Sequence, residues 1–233
     1  MNTALKNKNG FTLIEILVAM AVGMTVMYMI YTFFYLQQKT YINQSEITAI
    51  QQDIVGAMHI MERDIRLAGY DATGEAKSGI VKPGFLTPTS ADVIKFSADL
   101  TDDEDLDDTG EILSYSLEGD SIVRTDESDP ANPIKGVLIS GVDAFDIRYL
   151  DKDGNSTSSL SDIRSVQITI VVRTGRADYN YTNSESYYPD NDTTATPIYS
   201  APNDNFRRRV MATQILCRNM GLSPKAKGSV IPS

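Results

Sequence analysis

Apolar and polar positions follow three successive patterns along this chain. From Phe11 to Leu36, 26 positions contain a single charged side chain, Glu15. About 20 apolar residues cross a bilayer core as a helix, so the pattern predicts a membrane-spanning helix over 11–36. The helical period then continues with a polar face. Ile47, Ile50, Ile54, Ala57, Met61 and Ala68 recur at spacings of three, four or seven, Met58 and Ile65 widen the stripe, and Gln51, Gln52, Glu62, Arg63 and Arg66 lie off it. This predicts an amphipathic helix over 37–68 that stops at Gly69, well before the first proline, Pro83.

From Gly69 the period shortens to two. Strands are predicted at 92–98, 111–118, 121–125, 136–140, 142–150, 163–174 and 209–218, with Glu118-Gly119-Asp120 and Asp151-Lys152-Asp153-Gly154-Asn155 as hairpin turns. A long helix followed by an antiparallel sheet is an α+β arrangement, with a globular β-rich domain over 69–218. Within it, 176–205 is rich in Tyr, Asn, Asp, Ser and Thr and reads as a long polar loop, functional or disordered. Residues 219–233 read as a flexible tail.

Two lysines, Lys6 and Lys8, precede the apolar run, and the first ten residues contain no acid. The positive-inside bias holds such a leader in the cytoplasm and sends everything after Leu36 across. No small-residue cleavage site follows Leu36, so the run is expected to stay attached to the mature chain. Glu15 needs a reason, because a carboxylate in a membrane segment costs roughly 2.5–3.5 kcal/mol near the centre and less near the interface. The plain alternative is a shallow carboxylate that reaches the headgroups.

The basic leader, Gly10 and Phe11-Thr12-Leu13-Ile14-Glu15 opening an apolar run together resemble the N-terminus of type IV prepilins. The resemblance implies a pilin-like fold, with residues 11–36 as the transmembrane and filament-core helix. It also implies that a prepilin peptidase removes leader 1–10 after Gly10, and that Phe11 becomes the N-methylated N-terminus. Glu15 would then pair with the N-terminal amine of a neighbouring subunit, relieving a charge that the lone subunit leaves half-solvated. Major pilins often carry a helix-loosening proline in the membrane half, where this chain has Thr32. Met61-Glu62-Arg63-Asp64-Ile65-Arg66-Leu67-Ala68-Gly69-Tyr70 is similar to the helix-end signature of the PilW class of minor pilins. Arg63 and Arg66 there favour the helix C-terminus electrostatically, and Asp64 and Arg66 could also fix the helix end to the sheet. Arg207-Arg208-Arg209-Val210 with Arg218-Asn219 resembles the last strand of that class. The implied protein is a non-enzymatic minor pilin of a type IV pilus that helps prime assembly or forms part of a tip complex. Its implied partners are other minor pilins, the major pilin, the assembly platform and the inner membrane. It would span that membrane once, with a periplasmic C-terminal domain, and then reach the pilus surface. The alternatives are pseudopilin J of a type II secretion system and a membrane-anchored, adhesin-like binding protein.

Charge narrows the partners. Removing the leader takes away two lysines and no acid, so the net charge of −10 falls to −12, which argues against nucleic acid. With Cys217 alone there is no intrachain disulfide, and on an alternating strand it reads as a buried small hydrophobe. Asp102 to Asp108 holds six acids in seven residues. Calcium suits such oxygen ligands, but a solvated acidic loop is the simpler reading, and no cofactor is expected. Asp151, Asp153 and Asn155 resemble the start of an EF-hand loop, yet Gly154 stands fourth where that loop needs glycine sixth. The only histidine, His59, has no second His or Cys at ligand spacing, and no Gly-x-Ser-x-Gly elbow or nucleophile triad is visible. Arg207, Arg208 and Arg209 form a basic patch expected to pair with the sheet or to dock an acidic neighbour.

Overall fold

The computed structural model describes residues 10–72, 78–81 and 93–220. Residues 1–9 of the expected leader, Asp92 and the tail from 221 lie outside this range. The chain divides into two units between Ser45 and Glu46.

Helix α1 spans Leu13–Ile65. In the first unit its apolar side chains, from Leu13 at 78% exposure to Leu36 at 56%, face outward, as a lipid-facing segment requires. Its hydroxyls are satisfied internally: Thr25, Thr32 and Thr40 each donate to the carbonyl four residues earlier, at 2.9–3.0 Å. At Thr32 the helix is unbroken.

In the second unit, α1 buries Ile50, Ile54, Ala57, Met58, Met61 and Ile65, the predicted stripe, while Ile47 is half-buried. The helix ends at Ile65 instead of residue 68. Ala68 is nevertheless fully buried, and Gly69 turns the chain at φ 79°, where a Cβ would meet Met220 Sδ at 3.0 Å.

The strands form two main antiparallel sheets and one small one, where the alternation suggested a single sheet. Strands β1 (Ile80–Val81), β2 (Val93–Ser97), β3 (Ile112–Glu118), β4 (Ser121–Asp126) and β5 (Ile134–Ser140) pair in chain order. A second sheet has the order β10 (Arg208–Leu216), β7 (Ser165–Arg173), β6 (Val142–Leu150). Gly141, at φ 75°, separates β5 from β6, and a Cβ there would lie 3.2 Å from the Arg173 carbonyl. The strand break at 141 is read from the sequence, but a period-two pattern does not say that the strands on either side of it belong to different sheets.

Alternation along β7 places the core: its Val166, Ile168, Ile170 and Val172 join the stripe of α1, together with Phe145, Ile147 and Ile215. The opposite face of β7 carries Thr169 and Val171. The segment 176–205, read as a long polar loop, covers that face. It contains β8 (Ser186–Tyr187) and β9 (Tyr199–Ser200), and Tyr187 packs with Ala144 and Val171.

Candidate functional site

Thr12 and Glu15 form a reciprocal cap at the start of α1. The Thr12 backbone N–H and hydroxyl each donate to Glu15 Oε2 at 2.9 Å, and the Glu15 N–H donates to Thr12 Oγ1 at 3.3 Å. This is a Thr-x-x-Glu capping box, satisfying helix-end donors that lipid cannot. The spacing is readable in the sequence, although hydropathy alone presents Glu15 as an isolated charge. The cap holds the carboxylate beside the positive end of the helix dipole, four residues from Phe11. Gly10 is exposed, with no atom within 4 Å of where its Cβ would be.

At the other end of α1, the two PilW-like segments meet. Asn219 Nδ2 lies 3.4 Å from the Arg66 carbonyl and 3.5 Å from that of Leu67, capping the helix C-terminus from across the domain. The Gly69 N–H donates to the Ser97 carbonyl at 3.0 Å, tying the turn to β2. Within the helix-end segment, Asp64 is the residue that reaches the sheet, bonding Tyr115 and Arg124 at 2.6 and 2.9 Å. Arg66 pairs with Glu62 on its own helix.

Two arginines of the basic patch are consumed structurally. Arg207 pairs with Asp178 at 2.9 Å and lies over the Tyr181 ring at 4.2 Å. Arg208, with its side chain 1% exposed, bridges Asp143 at 2.5 Å and Asp204 at 2.6 Å. Burial pushes the Arg208 guanidinium down in pKa, but its two carboxylate partners outweigh this and hold it above its ordinary value. These pairs pin segment 176–205 to the strands. Arg209 is exposed and makes no ion pair among the described residues.

The acidic run does not itself form a ligand cluster. Only Asp103 of it joins a group, with Asp99 and Glu111, whose carboxylate oxygens all lie within 4.8 Å of one another. Asp99 and Glu111 are buried at 0% and 1% exposure and flank the run. Both already accept backbone N–H groups: Asp99 from Asp102 at 2.7 Å, Glu111 from Leu100 at 2.8 Å and Asp108 at 3.1 Å. The oxygen donors suit a hard cation, but their bonds also account for their burial as loop anchors. The exposed acids repel one another, and hydrogen bonding with Asp105 and its charge push the Asp107 carboxyl up. The 151–155 turn closes on itself, with Asp151 accepting the Asp153 and Asn155 N–H groups at 2.8 and 2.9 Å. His59 is exposed. Cys217 is buried, which pushes its thiol up to about 12.

Residues 5–31 match the family model described as the prokaryotic N-terminal methylation motif, and residues 123–219 match that of type IV pilus-assembly protein W. Among solved structures, the chain is similar to the type IV-like pilin TTHA1219 from Thermus thermophilus. The TM-score is 0.51 at 14% identity, covering 74% of this chain and 98% of that one. No curated protein matches.

Proposed function

We propose that this chain, a type IV pilus minor pilin of the PilW class, acts in the complex that primes pilus assembly or caps the filament tip. In this role it is a structural subunit without catalytic chemistry. The observation that carries the reading is the carboxylate of Glu15, capped in the first turn of α1 and alone among charged side chains in an apolar stretch, up to Leu36, that is long enough to cross a membrane. Such a charge requires a partner, and the amine of a neighbouring subunit's N-terminus supplies one. Leader removal after Gly10 and N-methylation of Phe11 create that amine at the membrane surface. The acidic C-terminal domain then faces the periplasm and afterwards the pilus surface, in contact with other minor pilins, the major pilin and the assembly platform.

The test is piliation. Deleting the gene should lower the number of surface pili severalfold, and the wild-type gene should restore it where the Glu15→Ala gene does not. Undiminished pili in the deletion strain, with adhesion or secretion lost instead, would overturn the priming role.

A further inference from the structure

Among the described residues, strand β10 is the outer strand of its sheet, with one edge open. The register with β7, together with the Thr174 N–H bond to Arg207 O and the Cys217 N–H bond to Arg164 O, directs the backbone groups of Arg209, Met211, Thr213 and Ile215 towards β7. Those of Arg208, Val210, Ala212, Gln214 and Leu216 point the other way, and no backbone bond among the described residues reaches them. From Val210 to Leu216 the strand has no charge, proline or register shift, the devices that normally guard an edge. Beside it runs a groove lined by Gln51, Ile54 and Val55 of α1 and Arg209, Val210 and Met211 of β10. Val55 is 54% exposed there.

We infer that an extended segment of another pilin subunit adds to the β10 edge as a further strand, with an apolar side chain in this groove and an acidic one on Arg209. This rests on the pilin reading above. Unpaired N–H and C=O groups in a row are matched by another backbone strand, which makes the occupant extended, and the unpaired cation of Arg209 makes it acidic at that position. A second copy is a poor match. Its outer strand β5 carries Lys135 and no acid, which would set cation against cation, and the acids of its outer strand β6, Asp143 and Asp146, already pair with Arg173, Arg208 and Arg148.

The test uses the full-length chain in piliated cells, with a photo-crosslinking phenylalanine analogue at Val55. Irradiation should give one adduct whose mass and peptides identify a different pilin subunit. Ala212→Pro removes an outward N–H that β7 does not use, so it should cut the adduct at least tenfold with membrane level and melting midpoint in detergent unchanged. Arg209→Glu leaves the backbone edge intact and should also weaken the adduct severalfold, a result that decides the matter if the proline variant is unstable. The inference is overturned by no adduct, by an adduct with a second copy or a non-pilin, or by adducts indifferent to both substitutions. Pilus counts in the deletion strain report separately: if they fall and no adduct forms, the strand addition is wrong and the pilin reading stands.

Discussion

The carboxylate of Asp64, in the last turn of α1, accepts a 2.6 Å hydrogen bond from the hydroxyl of Tyr115 on β3, 51 residues away. Arg124 of β4 donates to the same oxygen at 2.9 Å, and Arg63 donates to the other at 3.0 Å. Burial pushes the Asp64 carboxyl up, but these bonds together outweigh it and hold the group below its usual range. Tyr115 is correspondingly raised, by burial and by Asp64.

A folded-state pKa below the unfolded value means stability that is present above the unfolded pKa and lost as pH falls through the folded one. The melting midpoint of the detergent-solubilised chain should therefore hold near neutrality and drop below about pH 4. Asp64→Ala leaves the Tyr115 hydroxyl without its acceptor and should cost about 1–3 kcal/mol at neutral pH. That corresponds to about 2–4 °C per kcal/mol in a chain of this size. Its acid limb should also be shallower than that of the wild type, and identical limbs would remove Asp64 as a source of the acid sensitivity.

Processing should depend on the small residue at Gly10. Intact mass of the membrane-extracted chain should show loss of residues 1–10 and one added methyl group at Phe11. Replacing Gly10 by a large side chain should leave the full-length precursor. Accumulation of precursor in wild-type cells with an active prepilin peptidase would contradict the assignment.

Glu15 can be dissected by two substitutions. Glu15→Gln keeps an acceptor for Thr12 and loses the charge, whereas Glu15→Ala loses both. If the charge is what assembly uses, both should insert at least as well as wild type and both should fail to restore pili. Restoration by Gln but not Ala would assign Glu15 to helix capping alone, a contribution of about 0.5–2 kcal/mol.

Ile54 is 2% exposed within the core of the second unit. Ile54→Asp forces an unpaired charge into that contact and should cost more than about 4 kcal/mol. Limited proteolysis should then degrade the domain at concentrations that leave the wild type intact. Exposed Val55→Asp, one position on, should leave the proteolytic pattern unchanged.

Calcium and chelator should give nearly coincident melts, because the buried oxygens of Asp99 and Glu111 already accept loop N–H groups. A rise of many degrees with calcium would show tight binding to the folded chain and would make Asp99, Asp103 and Glu111 its first candidates.

Features carried by neighbouring residues were legible before any fold was known. The apolar run with Glu15, the stripe from Ile50 to Ile65 and the alternation of the seven longer strands are local periodicities, and each strand appeared within a few residues of its expected place. Gly69 is likewise a local requirement, for the left-handed backbone of the turn that follows the helix, although the helix itself ends earlier, at Ile65. What stayed hidden depends on residues brought together from far apart. Asp64 was readable as a tie between the helix end and the sheet, but its partners Tyr115 and Arg124 were not, and the acidic run at 102–108 masked Asp99 and Glu111, which burial makes the important pair. Segment 176–205 read as a polar loop, functional or disordered. Its Asp178 and Asp204 are neutralised by Arg207 and Arg208, and Tyr187 supplies the apolar contact, so composition could not reveal that it covers a sheet face. The free edge of β10 follows the same logic: a strand's pattern states which side chains are buried, but strand order alone leaves its backbone paired on one side or two.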